Sequence, residues 1–230
     1  MRDHYHEQLE SVGRDIAATA ALAGRALSLA TRALLDADPR AAEAVAAADR
    51  SGTALRRELE ARTLDLMARQ QPVAGDLRVL VTALRMSADL ERMGGLATHV
   101  AEIARMRHPE CAVPEELRAT FERMGAIAAD LAERVGRIVE DRDVEAARRL
   151  EAEDDAVDRL HRAVFTELLA RDGSYPAGAA IDVTLLSRYY ERFADHAVLV
   201  ARHLLFLVNG DEGGPAPLAP TGGDRVPQAA

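Results

Sequence analysis

The sequence has one cysteine, no tryptophan, no lysine and few aromatic residues, and each scarcity removes a class of protein. A single thiol, Cys111, rules out a disulfide framework and a thiolate zinc site, as suits a reducing cytoplasm. Aromatic residues are 3% of the 230, too few for base-stacking platforms. The balance of charge is acidic, 38 Asp and Glu against 29 basic residues, a net charge of −9. That is the reverse of a nucleic-acid footprint, so no nucleic-acid partner is expected. All 29 basic residues are arginine, which reflects codon usage in a GC-rich genome more than function. Long apolar runs are missing too. Uncharged runs in the body reach nine residues, as in Ile16–Gly24, and a membrane span needs about twenty. The opening MRDHYHEQLE has no apolar h-region, so no secretory signal is expected. There is no nucleophile elbow, P-loop or Gly-rich dinucleotide fingerprint.

What remains is rich in Ala, Leu, Arg and Glu, all strong helix formers, without strand-like alternation. Five prolines precede residue 210: Pro39, Pro72, Pro109, Pro114 and Pro176. Proline is tolerated at a helix start and breaks an interior. Together with the polar stretch Glu140–Asp143, these residues predict six long helices, at roughly 3–37, 39–70, 72–107, 114–140, 143–171 and 176–209. Long helices on short turns pack as antiparallel neighbours, so the expected class is an all-α helical bundle. Residues 210–230 hold five Gly and four Pro and are expected to form a disordered tail.

The third and sixth segments repeat one another. Leu186, Tyr190, Phe193, Ala197, Val200, Leu204 and Leu207 are spaced as an a/d seam. Shifted by 100 positions, the first six become Met86, Leu90, Met93, Ala97, Val100 and Ala104, again small or apolar, and Glu91-Arg92 falls on Glu191-Arg192. The second and fifth segments match likewise: Asp49 precedes Leu55 as Asp154 precedes Leu160. Any two amphipathic helices share a heptad, but a register kept together with the Glu-Arg pair favours duplication. The chain therefore reads as two three-helix repeats, residues 1–107 and 108–209.

Glu191 and Asp195 stand one turn apart on the face opposite the α-helical seam, and Asp154 and Asp158 make the same i,i+4 pair in the fifth segment. Like charges at this spacing repel unless something neutralises them. If the two helices are neighbours, four carboxylates converge, and their natural ligand is a hard, oxygen-preferring cation. The plain alternative is a solvated acidic face with Arg188 neutralising Glu191. The first repeat keeps only the leading acids, Asp49 and Glu91, because Thr53 and Gly95 stand at i+4. Gly94-Gly95 in mid-helix is either a kink or a close helix approach. His196 is a ligand, a support for one, or a surface histidine. Asp158 and His161 have the acidic-x-x-His spacing of carboxylate-bridged metal enzymes, but no Glu-x-x-His occurs, so an oxidative di-iron enzyme is not expected.

The words LMARQQPVAGDLRVL at 66–80 and LERMGGLATHVAEIA at 90–104, with YYERFADHAVLVARHLLFLVNG at 189–210, closely resemble the signature of the PhoU family, the phosphate-specific transport system accessory proteins. The resemblance covers roughly residues 1–210. It implies two three-helix bundles related by an internal pseudo-twofold, and no catalytic turnover. It implies a cytoplasmic repressor of phosphate uptake and of the phosphate-starvation response. Such a repressor links the ATPase subunit of the phosphate ABC transporter to a PhoR-type sensor histidine kinase, meets the membrane only indirectly, and often forms a homodimer. It further implies iron, zinc or another divalent cation held by Glu/Asp-x-x-x-Asp motifs. In this chain those motifs are Asp154, Asp158, Glu191 and Asp195, with Asp49 and Glu91 as the weaker remnant.

Overall fold

The computed structural model describes residues 2–152, 155–170 and 175–209, and every element among them is helical. The helices are α1 (Arg2–Asp36), α2 (Pro39–Gln70), α3 (Ala74–Arg107), α4 (Glu115–Asp141), α5 (Val144–Ala152), α6 (Asp155–Ala170) and α7 (Ala177–Asn209). The fifth expected helix corresponds to α5 and α6, on either side of residues 153 and 154, which are outside the described set, as is the expected tail at 210–230. At the start of α2, Asp38 accepts hydrogen bonds from the amides of Arg40 and Ala41 at 2.9 and 3.2 Å, with Pro39 in the first turn. Pro72, expected inside the third helix, lies ahead of it. Gln71 turns left-handed (φ 44°) to end α2, and α3 starts two residues beyond the proline, with Asp76 in its first turn. Gly94 and Gly95 sit within an unbroken α3.

Helices α1, α2 and α3 pack on one another, and α4 and α7 pack on each other and on α5 and α6. The halves meet where α1 lies on α4 and α3 on α7. Each of these contacts joins a helix to its own counterpart, the arrangement that a twofold relation between repeats produces. Small residues make the α1–α4 contact close. A Cβ added to Gly24 would stand 3.1 Å from the Ala129 carbonyl oxygen, and one on Gly136 would stand 3.1 Å from that of Ala17. The seam residues Met86, Leu90, Met93, Ala97, Val100 and Ala104 of α3, and Leu186 through Leu204 of the α7 series, are all buried. Leu207 is partly buried against them. One hydrophobic cluster runs through all seven helices, so the halves share a core. The linker between α3 and α4 carries Cys111, which is exposed, with its Sγ 3.3 Å from the Leu34 carbonyl oxygen at the end of α1.

Candidate metal centre

Helix α7 is packed by α3, α4, α5 and α6, and this changes the environment of its acidic face. Glu191 is 2% and Asp195 8% exposed. The solvated face allowed by the sequence is therefore excluded for both residues, because α6 packs against α7 there. Half-buried Asp158 of α6 joins them, and the three carboxylates place oxygen atoms within 4.8 Å of one another. Arg188, one turn back, contacts Glu191 Oε1, as its spacing predicts. Glu191 Oε2 is fully buried and has no hydrogen-bond partner among the described residues.

Three carboxylates in so small a volume cannot all ionise easily. Burial, reinforced by the charge of Asp195, pushes the Glu191 carboxyl up to about 7 against the pull of Arg188. Burial and then Asp158 raise Asp195 as well. A buried, unpartnered carboxylate oxygen beside two further carboxylates is a donor set that a divalent cation would satisfy in charge and coordination. The all-oxygen set suits a hard cation, while zinc more often takes nitrogen or sulfur ligands. Asp154, the fourth acid of the expected cluster, lies outside the described residues. His161 packs edge-on against Phe165, and its Nδ1 lies 3.0 Å from Ser187 Oγ. Ser187 donates its own proton to the Thr184 carbonyl at 3.0 Å, so His161 Nδ1 is the donor and Nε2 carries the lone pair. Burial, and then the charge of Arg188, lowers the His161 pKa.

The first half does not repeat this geometry. Asp49 is half-buried and close to Gly94, whose added Cβ would stand 3.5 Å from Asp49 Oδ1. Glu91 is exposed, and its Oε1 lies 2.8 Å from Arg56 Nε. A second polar cluster, absent from the sequence expectations, lies between the halves. Asp89 of α3 accepts from His196 Nδ1 and His203 Nε2 of α7, each at 3.1 Å, and all three side chains are buried. His196 is thus neither at the surface nor among the grouped carboxylate ligands. Burial would raise the Asp89 carboxyl, but the two histidine hydrogen bonds outweigh it and hold it down at about 2. The signal available in the sequence was the seven-residue spacing of His196 and His203, one heptad on the side of the seam.

Fold and site define a two-repeat, all-helical protein with one inward-facing acidic centre. The family described as PhoU domain matches the chain twice, over residues 16–104 and 121–204. The chain belongs to the PhoU family. It is 48% identical over 210 residues to the phosphate-specific transport system accessory protein PhoU homolog 2 of Mycobacterium tuberculosis, covering 91% of this chain and 99% of that one. Homolog 1 of Mycobacterium leprae is 44% identical over the same share of this chain and 95% of its own. The crystal structure of PhoU from Pseudomonas aeruginosa superposes with a TM-score of 0.82 at 25% identity, covering 90% of this chain and all of that one. No described helix is long and apolar enough to cross a membrane.

Proposed function

We propose that this protein is an accessory protein of phosphate-specific transport that represses phosphate uptake and the phosphate-starvation response. In this reading it works in the cytoplasm as a non-enzymatic adaptor, as a homodimer, between the ATPase subunit of a phosphate ABC transporter and a sensor histidine kinase. The observation that carries the reading is the match over 210 residues, at 48% identity, to a relative named as a phosphate-specific transport system accessory protein. The long exposed helix flanks suit a role in contact, and the acid cluster faces inward between helices, where it suits binding better than turnover.

Asp158, Glu191 and Asp195 are proposed to hold a divalent cation, iron, zinc or another, that ties α6 to α7. Bound there, the cation would supply positive charge and coordination to the partnerless Glu191 oxygen. Deletion of the gene should leave starvation-responsive promoters active in high phosphate. Normal repression in the deletion strain would contradict the adaptor reading. Elemental analysis should find less metal in Asp158→Asn/Asp195→Asn protein than in the wild type, and equal content would remove the ligand assignment.

A further inference from the structure

The two repeats differ at the positions equivalent to the second-half acid cluster. The shift of 105 that sets Asp49 on Asp154 and Thr53 on Asp158 also sets Arg56 on His161. The shift of 100 sets Glu91 on Glu191 and Gly95 on Asp195. So where the second half has Asp158, His161, Glu191 and Asp195, the first has Thr53, Arg56, Glu91 and Gly95. Two carboxylates have gone and a guanidinium has arrived. Its side chain is about one-fifth exposed, at 22%. Its Nε lies 2.8 Å from Glu91 Oε1 on α3, and its NH1 reaches Glu60 one turn along α2. Arg56 also borders a cavity of about 30 Å³, the space of one water, that Asp49, Thr53, Glu91 and Gly94 help to line. A fixed positive charge therefore sits among the remaining acids of this half and bridges α2 to α3.

We infer that Arg56 is the first half's resident cation, binding α2 to α3 through Glu91 in the place where the second half presents Asp158, Glu191 and Asp195 to a divalent ion. This rests on the reading of the second-half centre as a cation site. Under it the two halves do the same mechanical task by different means. One carries its positive charge covalently and permanently, and the other acquires it from solution. A chain built this way takes up one cation site's worth of metal, and only its second half responds to metal supply.

The test uses the full chain and Mn²⁺ as the probe, followed by calorimetric titration and by thermal unfolding. In a background of Asp158→Asn, Glu191→Gln and Asp195→Asn, no Mn²⁺ uptake is expected. Adding Thr53→Asp, Arg56→His and Gly95→Asp to that background should restore uptake of about one equivalent per chain. Arg56→Gln alone in the same background gives a second readout with less risk to folding. It should lower the unfolding temperature, and Mn²⁺ should then raise it by more than in the background. Uptake by the background that Glu91→Gln abolishes would overturn the inference, since the first half would then hold metal beside Arg56. A folded restoration variant that takes up no Mn²⁺, or Arg56→Gln protein whose unfolding temperature equals that of the background, would overturn it as well. Absence of Mn²⁺ uptake by the wild type would instead strike the second-half cation reading, and the first-half results would remain readable on their own.

Discussion

Glu191 carries a cost in the cation-free protein that sets a pH dependence. Its pKa rises from an ordinary glutamate value to about 7 on folding. The folded state therefore binds the proton more tightly, and stability from this group falls as pH rises through that window. Glu191→Gln in chelator-treated protein should leave stability near pH 4 almost unchanged and add about 1–2 kcal/mol at pH 8, less than the full shift because a neutral amide gives up the ion pair with Arg188. Urea denaturation at both pH values measures this. Cation binding must displace the same proton, so affinity should rise between pH 6 and pH 8, and a pH-independent affinity would place the cation elsewhere. Asp89 behaves in the opposite sense. Held near 2 by its two histidines, it stabilises the fold above about pH 4 and loses that contribution as pH falls toward 2. Asp89→Ala should cost about 2–3 kcal/mol in denaturant melts at pH 7, because it strands two buried imidazole N–H groups. At Gly125, an added Cβ would lie 2.5 Å from Thr31 Oγ1, whose hydroxyl is shared between the Leu27 carbonyl and Tyr190. Gly125→Ala should therefore destabilise by about 1–3 kcal/mol, with Thr31 unable to give way without losing the buried tyrosine contact.

At the scale of elements, α7 does the most. It meets α3 through the stripe Asp182, Tyr189, His196 and His203, α4 through Tyr190 of its seam, and α6 where it carries the acids. Phe193, fully buried in that seam, should cost about 3–5 kcal/mol when cut to Ala. The seam was legible because heptad spacing and burial have a common cause, and all six residues of the α3 series and all but Leu207 of the α7 series proved buried. Helix limits were legible to within one or two residues, since Asp38, Pro39 and the other prolines act locally. The burial of Glu191 and Asp195 was not. Residues opposite a seam ordinarily face water, and the docking of α6 turns that face inward. Asp89 was hidden for a related reason: its partners lie 107 and 114 positions away, and no local pattern joins them. In Arg56 the sequence hid a substitution of function, because a loss of acids is visible at 53 and 95 while the arrival of a compensating cation needs the α2–α3 geometry.

For the whole molecule, the continuous core predicts a single cooperative unfolding transition even though the chain is built of two repeats. Calorimetry should show one peak with matching calorimetric and van't Hoff enthalpies, and two resolved peaks would mean that the halves fold independently. The close α1–α4 contact makes sliding between the halves costly, so the two repeats form one stiff body. The lone thiol on the α3–α4 linker offers a direct way to watch that body. Since Cys111 is exposed and unique, a maleimide fluorophore attaches at one known point on the junction of the repeats, and its polarisation reports association with any soluble partner without further engineering.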